Sequence, residues 1–202
     1  MRISLLHVAP LSVLLLTGCS AQNREGFVRS NAAIESLETA LSGSSCAREI
    51  DRNDPNETPY LVCPGVGGYT LIVRRVDAGR QSIDVVDPAK RVMPLNYHEF
   101  ITRRMSNLAD KVEWRVMSRD GKQVPVAVIV KVQAREDTGD PEKVTGSYVA
   151  VAKITPTGAC VTDRIPEGSQ SDAEVRAAAD SAQERQCVSP QPPLSVDGVV
   201  VR

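Results

Sequence analysis

The chemistry open to this chain rests on few residues. Beyond the first 18 positions histidine occurs only as His98, which excludes a histidine-rich metal cluster and leaves one imidazole to serve a serine nucleophile. No Gly-x-Ser-x-Gly elbow accompanies it, so an ordinary boundary histidine is expected. Among 25 acidic residues, Asp84 with Asp87, or Glu99 with a neighbour, could be assembled into a hydrolytic dyad. Spacing in sequence does not bring two acids across one cleft, and solvated charge is the expectation. Gly65-Val66-Gly67-Gly68 has the glycine content of a phosphate cradle, but such a cradle needs a following helix and a Lys-Ser/Thr pair. Here an apolar, strand-like run follows, and a tight connection between strands is expected. Two oxygen-rich stretches, Asp51 to Glu57 and Asp137 to Glu142, lack the sixth-position glycine and terminal glutamate of an EF-hand and read as polar loops. No metal site and no cofactor are expected.

Basic side chains gather at Arg74, Arg75, Arg80, Lys90, Arg91, Arg103 and Arg104. On one face they would meet anionic lipid headgroups or cell-wall polymer, with Arg74, Arg75, Arg80, Arg103 and Arg104 as the candidate binding surface. Nucleic acid is not an expected partner. The formal charge is −1, and one Trp, four Tyr and two Phe in 202 residues are too few to interleave stacking rings with the cations.

The chain opens with Met1 and Arg2 and then runs apolar from Ile3 to Leu16, interrupted by Ser4, His7, Pro10 and Ser12. That is a signal-peptide core, too short for a spanning helix of roughly 20 residues. It ends in Leu16-Thr17-Gly18-Cys19, which resembles the lipobox of bacterial lipoproteins, cleaved before a cysteine whose thiol carries lipid. The resemblance implies a signal peptide over 1–18, a lipid anchor on Cys19 and attachment to a membrane. Secretion with a cut before Gln22 is the competing reading. Ser20 after the anchor resembles an outer-membrane sorting signal, so the expected location is the periplasmic face of the outer membrane.

With Cys19 lipidated, Cys46, Cys63, Cys160 and Cys187 remain, an even set suited to an oxidising compartment. Four cysteines allow three pairings. Cys46 with Cys63 and Cys160 with Cys187 is expected, because each pair flanks one contiguous segment. A zinc site is the rival, but no CxxC spacing occurs.

The elements that must position these residues follow from periodicity. Ile34, Leu37 and Leu41, with Gly43 as a stop, predict an amphipathic helix over 31–41. Tyr60 to Cys63, Tyr69 to Val76 and Ser82 to Val86 predict a three-stranded meander. Asn96 and Glu99 have the form of a helix start, with Phe100, Ile101, Met105 and Leu108 as its buried stripe. Lys111 to Ser118, Asp120-Gly121 and Val124 to Gln133 predict a hairpin, Pro125 hinting at an edge or a bulge and Trp114 facing the core. Tyr148 to Thr155 and Ala159 to Thr162 predict two more strands. Ser171-Asp172-Ala173-Glu174 is a capping box opening a last helix with Val175, Ala178, Ala179 and Ala182 inward.

The expected fold class is therefore α+β, a mostly antiparallel sheet with two or three helices packed on one face, stapled by disulfides. The domain would span 30–187, after a tether over 19–29 and before an extended or disordered tail over 188–202. Cys46, Cys63-Pro64-Gly65, Gly68-Tyr69, Glu113-Trp114-Arg115, Gly158-Ala159-Cys160 and the final Ala-rich segment ending in Cys187 resemble a group of short exported alphaproteobacterial proteins of unknown function. Those motifs are structural, and no catalytic or binding residue transfers with them. The leading functional expectation is a non-enzymatic envelope lipoprotein acting through a protein or cell-wall partner. A periplasmic small-ligand-binding module follows, then a carboxylate-dyad hydrolase.

Overall fold

The computed structural model describes residues 33–135, 140, 143–191, 194–196 and 199–201. The expected signal peptide, Cys19 and the tether lie outside the described residues. Two five-stranded antiparallel sheets face each other across one core. The first is a meander of β2 (Ala47–Ile50), β3 (Pro59–Pro64), β4 (Thr70–Arg75), β5 (Gln81–Val86) and β6 (Val92–Pro94), paired in sequence order. The second places β1 (Ile34–Ala40) beside β7 (Met105–Arg119), followed by β8 (Lys122–Arg135), β9 (Gly146–Thr155) and β10 (Gly158–Pro166). Two short helices, α1 (Tyr97–Phe100) and α2 (Asp172–Asp180), complete it, with a separate hairpin of β11 (Leu194–Val196) and β12 (Val199–Val201).

The α+β expectation is thus corrected to a mostly-β fold. The first predicted helix is strand β1, and the physical reason lies in its partner. Leu37, Thr39 and Leu41 fall at period two, and Leu37 stands opposite the fully buried Trp114, whose indole Nε1 donates to Thr39 Oγ1 at 2.8 Å. A helix would have left that donor without its partner in the core. Gly43, at φ +75°, opens a short 3-10 turn. The second predicted helix stops after one turn: Asn96 sits in the left-handed region at φ 46° and its side chain makes no cap. The chain then enters β7, leaving Met105 exposed. Local spacing suited a helix in both segments, and tertiary pairing overrode it.

The hairpin is present and longer than predicted. Asp120 and Gly121 take φ 51° and 71°, the twisted turn that two such residues favour. Arg115 pairs with Ala127 and Val116 with Pro125, so Val126 is the extra residue of a bulge next to the proline, where a ladder donor is missing. Val128, Val130 and Val132 face the first sheet, while Ala127, Ile129 and Val151 face α2 with Val175, Ala179 and Ala182. The centre of β8 is therefore buried on both sides, which explains its nearly uninterrupted apolar run. The predicted capping box of α2 forms: Ser171 Oγ accepts from Glu174 N, and Glu174 accepts from Ser171 N. Both expected disulfides, Cys46–Cys63 and Cys160–Cys187, are formed. The first joins strand ends of β2 and β3; the second ties the segment after α2 to β10.

Candidate functional site

Alternation along a strand separates Arg74 from Arg75. Arg74 shares its face with Tyr60 and Ser82, and its Nη2 lies 2.5 Å from Oδ2 of the buried Asp84. Burial pushes the Asp84 carboxyl up, and Arg74 offsets this only in part. Arg75 emerges on the inner face beside Gln81, whose Oε1 accepts from Leu108 N of β7 at 3.0 Å. Arg80 Nε donates to Asp77 Oδ2 at 2.7 Å and its Nη1 to the Arg103 carbonyl at 3.2 Å. Arg103 Nε in turn donates to the Gln191 carbonyl at 2.8 Å. Arg104 is exposed. Of the predicted arginines, Arg74 and Arg75 thus line a groove, while Arg80 and Arg103 form structural ties that fasten the β4–β5 turn, the α1 region and Gln191.

The groove occupies about 470 Å³ at the open end of β2–β5 and is lined by Arg48, Pro59, Tyr60, Leu61, Val73, Arg74, Arg75 and Gln81. Its construction follows from register. Arg48, Leu61, Val73 and Ile83 form one cross-strand row on the inner face, and Arg75 stands opposite Gln81 in the next. Ile83 is fully buried and Val73 nearly so, Leu61 is half-buried, and Arg48 and Arg75 are exposed. The result is an apolar floor between two guanidinium groups that form no ion pair among the described residues. Sequence reasoning missed Arg48, because Ala47–Ile50 carries no alternating apolar pattern and reads as part of the loop after Cys46. The signal that could have found it is Cys46 itself, since its bond to Cys63 draws the following residues alongside β3.

The other candidates resolve into structure. His98 is half-buried, and that burial holds its imidazole below the usual range; Glu99 Oε1 lies 3.5 Å from its Nε2. Asp84 and Asp87 are each engaged by an arginine of their own, Asp87 by Arg91 at 2.9 Å. Asp51 Oδ1 accepts from Asn53 N, and Asp54 accepts from Asn56 N and Thr58 N, so these oxygens fix a turn. Among the described residues no cluster of His, Cys, Asp and Glu is arranged to hold a metal ion. Gly67, at φ +62°, lies so close to the β7–β8 hairpin that an added Cβ would stand 2.2 Å from the Gln123 carbonyl oxygen. The glycine turn therefore serves close packing.

The outer face of β7 carries a charged cluster instead. Arg115, nearly buried, donates from Nε and Nη2 to the two Asp180 oxygens at 2.6 and 2.9 Å and also contacts Ser36. Glu113 accepts from Arg176 Nε at 2.7 Å and from Ser36. Burial alone would raise the Glu113 carboxyl, but the donors Arg176 and Ser36 and the nearby guanidinium charges outweigh it and hold the group low. These bonds pin α2 to β7 and β1, which is a structural use of charge. The two disulfides indicate an oxidising compartment outside the cytoplasm, and among the described residues no helix is long and apolar enough to cross a membrane. Comparison of the chain with protein-family models, with curated proteins and with solved structures finds no match.

Proposed function

We propose that this protein is an exported, non-enzymatic envelope lipoprotein, held by lipid on Cys19 at the periplasmic face of the outer membrane, that acts by binding an envelope partner at the groove lined by β2–β5. The observation that carries the reading is the pair Arg48 and Arg75, exposed and, among the described residues, without ion pairs, beside the apolar Leu61, Val73 and Pro59. Cations with no ion pair among the described residues suit an anionic partner, and an apolar floor adds the area that fixes its orientation. Asp84 and Asp87 are each engaged by an arginine and Glu99 lies beside His98, which favours binding over hydrolysis. Cys46–Cys63 locks β2 onto β3 and so holds Arg48 in place.

The test is a photoreactive amino acid placed at position 48, 75 or 184 of the full-length protein in intact cells. Glu184 is exposed and follows α2, away from the groove strands. Adducts of one defined mass from positions 48 and 75, absent from 184 and lost in Cys19→Ser, are expected. Equal labelling at all three positions, or none, would remove the groove as the binding face.

A further inference from the structure

Resting on that reading, the geometry points to the class of partner: we infer that the groove receives an extended protein segment added as a sixth strand along β2, with an acidic side chain meeting Arg48 and an apolar one covering Ile50. Four strands form the outer edges of the two sheets, β1, β2, β6 and β10. Val188 N donates to the Val161 carbonyl of β10 at 2.9 Å, beside the Cys160–Cys187 bond. β6 is three residues long and ends in Pro94, while Arg91 beside it donates to the Pro156 carbonyl. β1 carries acidic side chains, with Glu38 already bonded to Lys111. β2 differs: all four of its residues are exposed, it contains no proline, and β3 is its sole strand partner among the described residues.

Which backbone groups β2 offers follows from its pairing. Asp51 N donates to the Thr58 carbonyl at 3.3 Å, and bonded and non-bonded pairs alternate along an antiparallel ladder. Glu49 with Tyr60 and Ala47 with Val62 are therefore the bonded pairs. Arg48 with Leu61 and Ile50 with Pro59 are non-bonded, which is where the missing N–H of Pro59 costs nothing. The N–H and C=O groups of Arg48 and Ile50 consequently point away from β3, toward the open edge, spaced to receive another strand.

The side chains then select its sequence. Arg48 and Ile50 lie on the groove face, Ile50 being 52% exposed, and Glu49 lies on the other. An antiparallel incoming strand reads apolar opposite Ile50, basic opposite Glu49 and acidic opposite Arg48, in that order, with Arg75 reinforcing the acidic preference from the neighbouring row.

The probe is the acetylated and amidated peptide Thr-Thr-Val-Lys-Glu-Thr-Thr, added to the full-length protein in detergent with disulfides intact. Its control is the same peptide N-methylated at the valine and glutamate, which keeps the charges and removes the two donors facing β2. Expected are exchange of the Arg48 and Ile50 amides slowed about tenfold or more by the probe, no such protection by the control, and binding weakened about tenfold by Arg48→Glu. Equal binding of both peptides, with those amides unprotected, overturns strand addition while leaving the groove as an anion-binding face. Binding of neither peptide overturns the inference, and the crosslinks from positions 48 and 75 then judge the broader reading separately. Protection of the two amides in the free protein that grows with protein concentration also overturns it, by assigning the edge to a second copy of this chain.

Discussion

At the scale of single residues, charge in this protein is mostly committed to holding elements together. Arg115 is the clearest case, with 8% of its side chain exposed against 34% for Asp180. Removing one member of such a pair leaves the other short of its partner, at a cost below the ~3–5 kcal/mol of a fully buried pair because Asp180 still reaches water. Arg115→Ala should lower stability by about 2–3 kcal/mol, read as a fall in the denaturant midpoint, and amide exchange should quicken in α2 before it does in β8. Glu113 adds a dependence on pH. Its carboxyl is held low in the fold, so the folded state binds that proton less readily than the unfolded chain. Its contribution is complete above the unfolded value near ~4.3 and is lost as pH falls through the lower folded value. Glu113→Gln should lower stability at pH 7, where that contribution is complete, and flatten the acid limb between about pH 5 and 3 so that the two curves converge at low pH; an unchanged slope would assign the limb to other carboxylates. Sequence showed Trp114 as a core residue between two charges. It could not show that Arg115 meets Asp180, 65 positions away, because no local pattern encodes a contact between a strand and a helix added later in the chain.

At the scale of elements, the turns separate two reasons for a glycine. Gly121 needs its positive φ but has open space around it, whereas Gly67 needs both its φ and the absence of a side chain against the Gln123 carbonyl. Gly121→Ala should therefore cost about 1 kcal/mol. Gly67→Ala should cost about 3 kcal/mol or more, since the obstacle is backbone of the hairpin. Equal midpoints for the two variants in chemical denaturation would contradict the close approach of these loops. The same contrast explains which elements were legible. Asp-Gly between two valine-rich arms, Pro125 at a bulge and the Ser171 capping box are local codes, and each forms as its residues specify. The 31–41 and 96–108 segments had apolar residues at spacings that a helix and a strand can both use. Pairing of β1 with β7 decided the first, and the left-handed Asn96 stopped the second after one turn. Arg48 escaped notice because β2, with every residue exposed, has no buried face to announce it as a strand.

At the scale of the whole molecule, two facing sheets with α2 on one outer face make long-range pairings the basis of stability, and such a topology gains from cross-links that shorten its loops. The disulfides close spans of 17 and 27 residues, worth about 3 and about 3.5 kcal/mol by loop-closure entropy alone. Their similar size conceals different consequences. Cys46–Cys63 fixes an edge strand, so its loss should free β2 while α2 and the rest of the second sheet remain protected. Cys160–Cys187 fastens the chain after α2 to β10, where Arg185 also meets Asp163 and Gln183 Nε2 donates to the Val126 and Ile154 carbonyls. Its loss should loosen the helical layer, exposing Ala127, Ile129 and Val151, and should raise the tendency to aggregate. The paired variants Cys46→Ser/Cys63→Ser and Cys160→Ser/Cys187→Ser separate these effects. Both should lower the thermal midpoint by several degrees, but only the first should weaken crosslinking from position 48. If the second weakened it equally, the groove would depend on the helical layer as well as on the strand that carries Arg48.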